Sequence, residues 1–419
     1  MKIVITNGWS DLNSGDSAII MGIIEDLIRR YGDSIEITIL SELHTSNKYF
    51  SESIIKIRET FSNLKIDLIG SPFFKSYSTS AFNKAKELSS LIKQTLFFEI
   101  FFKKTDYYKS IVDADVIISK GGHFLFDRKG IRGAVHLYKC LYPLKIAKKI
   151  KRDYYIFGQS MGPFYNKSFF EKKKLDMTLN ILNSAKQISF RENVSLEKMV
   201  ELGLKNENVR LASDYAFLVK KSTVSGFEMN NFVAITLRQH EFISDKGEIE
   251  YLNTIITICN TLNKRFGVNI LVIPHVKGPN SFENDVIITK KFEKMVKECN
   301  FYYFDYNYYS APELIDIYSK AELLIGTRFH SVIFSLINSV PAFAISYSGY
   351  KANIIAQFGM EKYMSDINLI NKKNESFLSE LLCELFSKRE EYKELIDYKM
   401  PTIIETIKMN TNEAFSGEL

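Results

Sequence analysis

One pattern recurs along this chain: an apolar run of strand length ends in a polar or glycine-bearing turn and leads into a helical pattern. That repetition limits the fold more than any other feature. The chain opens with "KIVITN", a short β-branched run, passes through the turn formers of "GWSDLNSGD", and continues as "SAIIMGIIEDLIRRYG", apolar at helical spacing and ended by a glycine. The order returns at "IEITIL" (35–40), "ADVIISKGG" (114–122), "DYYIFGQSMGP" (153–163) and "QISFREN" (187–193), with "VHLYKCLYPLKIAKKI" and "VSLEKMVELGL" among the helical patterns. A second series holds "FVAITLRQH", "VNILVIPHVKGP", "NFYYFDY" and "AELLIGTRFHS". Ahead of its last member, "SAPELIDIYSKA" sets Ser310 and Glu313 at capping-box spacing with a proline in the first turn, so a helix starts there. Strands alternating with helices in this way predict parallel sheets covered on both faces. After "VPAFAISY" the pattern is helical to the end.

At 419 residues the chain exceeds one ordinary core and fits two domains of roughly 200 residues each. The polar run 220–231 reads as a linker. The expected α/β organisation is therefore a Rossmann-like domain over 1–218 and a second over 219–385, facing each other across a cleft, with helices over 386–419 that return to the first. A content of 46% apolar and 25% charged residues suits a sizeable core.

In an open parallel sheet the C-terminal ends of the strands share one edge, where ligands bind. Arg191 follows "QISF", Arg238 follows "VAITL", His275 follows "ILVIP", and Arg328 with His330 follows "LLIG". No carboxylate takes the first position after these strands, which favours an anionic ligand. Arg328 offers a planar fork for carboxylate or phosphate, and His330, in the first turn of a helix, is of the side-chain type that titrates near neutral pH. Asn13, Gly15 and Asp16 occupy the strand-to-helix turn of "NGWSDLNSGDSA", which matches neither GxGxxG nor the P-loop pattern. His123, after the double glycine of "KGGHFLFD", reads equally as a satisfied turn residue or a substrate contact.

Other classes are disfavoured. Cys140, Cys259, Cys299 and Cys383 form no CxxC pair, and the histidines show no HExxH spacing, so no metal is demanded. A net charge of +6 is mild for this length and argues against a nucleic-acid partner. No segment approaches about 18 uninterrupted apolar residues and the N-terminus lacks a signal-peptide pattern, so a cytoplasmic protein is expected. Basic charge gathers at "KIAKKIKR" (145–152), and "SLIKQTLFFEIFFKK" (90–104) joins aromatics to lysines; together they suggest peripheral contact with the inner face of a membrane.

Taken in order, "NSGDSAI", "SKGGHF", "GQSMGPF", "FRENVSLEKMVELGL", "ASDYAF" and "GTRFHSVIFSLINSVPAFAISYSGYKA" resemble the polysaccharide pyruvyl transferase family over most of the chain. The resemblance implies a fold similar to the two-domain glycosyltransferase B type, with the acceptor on the N-terminal side and the donor on the C-terminal side. It also implies transfer of a pyruvyl group from phosphoenolpyruvate to a sugar, usually as a cyclic ketal, with phosphoenolpyruvate as co-substrate and no resident cofactor. The family's arginine, histidine and serine of the "R-hydrophobic-H-S" motif fall on Arg328, His330 and Ser331, and the arginine of its "R-acidic-x-x-S" motif falls on Arg191. The lysine of the turn after its "SY" strand falls on Lys351, although "SYSGYK" lacks that turn's acidic residue and carries an extra one. The roles expected are proton transfer for His330 and anion binding for Arg328 and Arg191; the resemblance adds Lys351 as a substrate contact, and the strand-end and turn positions add Arg238, His275, Asn13, Gly15, Asp16, His123 and Ser331. The acceptor sugar is lipid-linked, nucleotide-linked or polymeric. A glycosyltransferase using a nucleotide sugar is the alternative enzyme, since fold does not fix reaction. An inactive assembly subunit is the alternative outside enzymes, and it would lack the Arg328/His330 pair.

Overall fold

A computed structural model describes residues 1–74, 85–86, 89–90, 103–128, 130–242, 246–297, 300–305, 307–347 and 352–416. The chain divides into two compact units, the first made of Met1–Asp11, Ile19–Tyr215 and Thr406–Leu419, the second of Leu12–Ala18 and Ala216–Glu405.

The first unit holds β1 (Lys2–Gly8), β2 (Glu36–Ser41), β3 (Lys65–Ile69), β4 (Val116–Ser119), β5 (Gly122–Leu125), β6 (Tyr155–Met161), β7 (Gln187–Phe190) and β8 (Val209–Leu211). They form one parallel sheet in the order β3-β2-β1-β4-β6-β7-β8, with β5 beside β6. Its central strands β4, β6 and β7 are buried at every position, the burial of a sheet covered on both faces, and they bury polar side chains such as Gln159, Ser160 and Gln187 along with the apolar ones.

The second unit holds β9 (Phe232–Thr236), β10 (Asn269–Val272), β11 (Phe301–Tyr303), β12 (Leu323–Gly326), β13 (Ala342–Ser346) and β14 (Met364–Asp366), all parallel, in the order β11-β10-β9-β12-β13-β14. This is the Rossmann order, in which strand succession runs one way from β9 to β11 and the other way from β12 onward. The loops leaving β9 and β12 therefore diverge and open a crevice at the C-terminal edge.

The structure departs from the sequence reading in four places. The change of unit falls at Tyr215/Ala216, in the buried turn "YAFL", and not in the polar run 220–231. That run is tied into the second unit: Ser222 N donates to Pro312 O at 3.0 Å, Val224 N to Asp316 Oδ2 at 3.0 Å, and Lys320 Nζ to Phe227 O at 2.8 Å. Leu12–Ala18 groups with the second unit, although 1–218 reads as one domain, because Lys277 N donates to Leu12 O at 2.8 Å and Asn13 bridges Val276. The region after β13 is not continuously helical, since β14 and short 3-10 turns precede the helices Glu375–Ser387 and Arg389–Ala414. The short strands β3, β5, β8 and β14 do not stand out in the sequence; edge strands β8 and β14 are half exposed and carry no sustained apolar run. Of the last helix, residues from Thr406 onward belong to the first unit.

Stretch 90–104 lies largely outside the described residues, while Lys145, Lys149, Lys151 and Arg152 are exposed. No helix among the described residues is long and apolar enough to cross a membrane.

The helix Ala311–Tyr318 starts where the capping box places it. Ser310 Oγ accepts from Glu313 N at 3.3 Å and Glu313 Oε2 accepts from Ser310 N at 2.6 Å. Ser310→Ala is expected to destabilise the protein by about 1 kcal/mol. A lowered denaturant midpoint checks this, and an unchanged midpoint would show that the cap contributes nothing.

Candidate active site

Because β10, β9 and β12 are adjacent and parallel, the residues that follow them meet on one edge: His275 after β10, Arg238 after β9, and Arg328 after β12. Hydroxyl groups lock the β9 and β12 turns together. Thr236 Oγ1 accepts from Thr327 N at 3.0 Å, Thr327 Oγ1 donates to Thr236 O at 2.6 Å, and Tyr251 Oη lies 2.9 Å from Thr327 Oγ1. Ser331 is fully buried, donates to Arg328 O at 2.6 Å and sits 3.0 Å from Thr236 Oγ1, so the structure commits it to the turn.

Arg328 is the N-cap of the helix Phe329–Leu336 and is buried. Its Nε donates to Asp285 Oδ1 at 3.0 Å and Oδ2 at 3.1 Å, and its Nη2 also donates to Oδ1. Burial opposes the charge of Arg328, yet Asp285 outweighs it and holds the guanidinium above its ordinary range. No hydrogen bond from Nη1 to a described residue accompanies these. Asp285 opens the helix Asp285–Met295 behind the Asn284 cap, is itself fully buried, and accepts from Val276 N at 2.9 Å. Nothing in the sequence singled it out: "END" ahead of "VIITKKFEKM" signals a helix start and no more.

Arg238 differs. It is 6% exposed, its Cζ lies 3.4 Å from the Tyr347 ring centroid, and its Nε donates to Gln239 O at 3.1 Å. Among the described residues no carboxylate comes within ion-pair distance of it. Burial chiefly, and after it the like charge of Arg328 against the opposing effect of Tyr347, holds its pKa below the ordinary value. A buried cation without a counter-ion is costly, and an anion removes that cost. Beside it, Gly326, Phe329, Ser346 and Tyr347 line a small notch at the β12–β13 edge.

His330 is the second residue of its helix and is half-buried. Gly15 packs on its ring so closely that a Cβ there would stand 2.1 Å from Nδ1, so this position admits only glycine. Ser14 Oγ donates to His275 O at 3.1 Å, and Asn13 Oδ1 accepts from Asp16 N at 3.4 Å, which shapes the start of the helix Ser14–Tyr31. The turn expected on the acceptor side of the N-terminal domain thus counts with the second unit. His275 is buried, with Nδ1 3.2 Å from Tyr318 Oη. Lys351 lies outside the described residues.

In the first unit, Arg191 stands directly after β7 and is buried. Its Nε donates to Ser160 Oγ at 2.5 Å, its Nη1 to Asp214 Oδ2 at 2.5 Å, and Glu192 Oε2 lies 3.5 Å from Nε. Burial raises the Glu192 carboxyl above its usual range, against the pull of Arg191. His123 lies on β5, where its Nε2 donates to Gly162 O at 2.6 Å. Among the described residues no group of three or more histidine, cysteine or acidic side chains is placed to hold a metal ion.

A family model described as polysaccharide pyruvyl transferase matches residues 13–349, from the turn that packs on His330 to just past β13. The chain belongs to the polysaccharide pyruvyl transferase family. This pyruvyl transferase is 26% identical to the amylovoran biosynthesis protein AmsJ of Erwinia amylovora over 390 residues, 88% of either chain. Among solved structures it is similar to HepE of Anabaena in complex with UDP-glucose (TM-score 0.56, 9% identity, 99% of this chain and 100% of the other). It is equally similar to UDP-GlcNAc 2-epimerase of Neisseria meningitidis bound to UDP-GlcNAc (TM-score 0.56, 12% identity, 99% and 100%). At such identities the likeness shows the fold alone, the two-sheet α/β arrangement of glycosyltransferase B type.

Removing Asp285 from this transferase leaves Arg328 buried without its carboxylate. Asp285→Ala is expected to cost about 3–5 kcal/mol of stability, read from denaturant unfolding. A loss below about 1 kcal/mol would show that Arg328 readily finds water or another partner.

Proposed function

We propose that this pyruvyl transferase moves the pyruvyl group of phosphoenolpyruvate onto a sugar of a polysaccharide or glycoconjugate precursor, forming a cyclic ketal and releasing phosphate. The observation that carries the reading is Arg238, a buried guanidinium with no carboxylate partner among the described residues, on the same strand-end edge as Arg328 and His330. Phosphoenolpyruvate presents a carboxylate and a phosphate, and this edge supplies two guanidinium groups and the N-terminus of the helix Phe329–Leu336. The AmsJ likeness supports a polysaccharide precursor as acceptor.

In this reading a proton is delivered to the methylene carbon while one acceptor hydroxyl adds to C2 and gives up its own proton, leaving a tetrahedral carbon that carries methyl, carboxylate, phosphate and sugar oxygen. The C2–O(phosphate) bond then breaks and phosphate leaves with the electron pair. A second hydroxyl adds to the oxocarbenium-like C2 and loses its proton, which closes the ketal. His330 is assigned the proton transfers. Arg328 and Arg238 neutralise the donor and the phosphate as it departs, and the family motif assigns Arg191 to anion binding. Guanidinium groups carry the charge stabilisation, and phosphoenolpyruvate is a co-substrate.

The likeness to structures holding UDP-glucose and UDP-GlcNAc favours a second reading, transfer from a nucleotide sugar. Incubation of an acceptor with each donor separates them: release of phosphate with a ketal on the acceptor supports the first, release of nucleoside diphosphate the second. With phosphoenolpyruvate, His330→Ala is expected to lower kcat about 100-fold or more while donor binding persists. Arg328→Lys is expected to be nearly as damaging as Arg328→Ala, because an ammonium cannot both keep the Asp285 fork and present Nη1. Full activity in either His330→Ala or Arg328→Lys contradicts the assigned role.

A further inference from the structure

His275 carries a polar atom that the fold leaves unanswered. The side chain is 2% exposed, its ring packs on Phe334 with centroids 5.1 Å apart, and its Nδ1 lies 3.2 Å from Tyr318 Oη. Nε2, on the other side of the ring, is buried and finds no hydrogen-bond partner among the described residues. Buried polar atoms of native proteins are nearly always paired, so an orphan of this kind calls for an explanation.

Tyr318 decides which nitrogen holds the proton. It is fully buried, and burial holds its phenol well above its ordinary pKa, so it keeps its hydrogen. If Nδ1 were the donor, the Tyr318 hydrogen would lose its acceptor; with Tyr318 donating to Nδ1 every proton on that side is used, and the imidazole proton sits on Nε2. The ring is also kept neutral: burial first, then the charges of His330, Arg328 and Lys277, drives its pKa well below the usual histidine value. Those three are residues around the β10 and β12 turns, the edge that carries the buried Arg238, without a carboxylate partner among the described residues.

We infer that His275 is a donor-binding residue, an uncharged imidazole whose Nε2–H, fixed by Tyr318, is reserved for an anionic oxygen of the bound phosphoenolpyruvate. The inference rests on the proposed function and deepens it by dividing the work between two histidines: His275 holds an oxygen and His330 moves protons. A neutral donor adds a directional hydrogen bond without placing a further cation beside Arg238 and Arg328.

The test uses the intact protein. Phosphoenolpyruvate affinity is measured by calorimetry for the wild type, His275→Leu and His275→Gln, whose amide N–H replaces the imidazole N–H at the Nε2 position, with melting temperatures recorded alongside. His275→Leu is expected to weaken binding about ten-fold or more and His275→Gln to restore most of it. In the wild type with ¹⁵N-labelled histidine, the His275 Nε2 resonance is expected to be that of a protonated nitrogen and to shift on addition of phosphoenolpyruvate, a readout that holds even if a variant misfolds. Wild-type binding with an unmoved His275 resonance, or wild-type affinity in His275→Leu, overturns the inference and leaves the proposed function standing. A wild type that does not bind phosphoenolpyruvate defeats the proposed function, and this inference with it.

Discussion

The carboxylate of Asp285 is the constraint on which the second unit's edge depends. It is fully buried, takes both the Nε and Nη2 positions of Arg328, and accepts from Val276 N in the loop after β10. One side chain thereby joins the start of the helix Asp285–Met295, the loop after β10 and the cap of the helix Phe329–Leu336. Burying two charges costs nearly as much as their attraction returns, so the pair is a weak source of net stability. What it supplies is orientation: Nε and Nη2 of Arg328 are fixed on Asp285, and His330, two residues on, is set in the first helical turn. Val276 also bridges Asn13, so the same loop carries the turn whose Gly15 packs on His330.

The arginines at the strand ends differ in what already neutralises them. Arg328 has Asp285, and Arg191 has Asp214 with Glu192 beside it. Neither pair leaves a full positive charge for a ligand. Arg238 does, held against Tyr347 with its planar face covered and its edge turned elsewhere. Charge available to an anion at the second edge therefore comes chiefly from Arg238; in the proposed reading Arg328 and His275 add hydrogen bonds that give direction.

Much of this was legible in the sequence. Strands β1, β2, β4, β6, β7, β9, β10, β12 and β13 announce themselves because burial makes them rich in apolar and β-branched residues, most uniformly in β9, β12 and β13, and the rule that strand ends share an edge brings Arg238, His275, Arg328 and His330 together. The capping box at Ser310 is a local interaction, so local reading finds it. The counter-ions are not local: Asp285 lies 43 residues from Arg328 and Asp214 lies 23 from Arg191. The absence of a carboxylate in the first position after a strand thus said nothing about pairing in three dimensions. The allegiance of Leu12–Ala18 was hidden for the same reason, since it rests on backbone bonds to a loop more than 250 residues away, as the Ser14–His275 separation of 261 shows. Polar composition made 220–231 read as a linker, whereas hydrogen bonds to the helix Ala311–Tyr318 and its flanks, with the Phe227 ring against Phe232 and Phe304, hold it in the second unit.

The most direct test of donor binding at this edge is a crystal structure of the protein with phosphoenolpyruvate. Oxygens of the carboxylate or phosphate are expected within hydrogen-bonding distance of the Arg238 guanidinium and of Arg328 Nη1, with the Arg328–Asp285 fork intact. Phosphoenolpyruvate bound away from the ends of β9, β10 and β12, with Arg238 touching none of its oxygens, would contradict it.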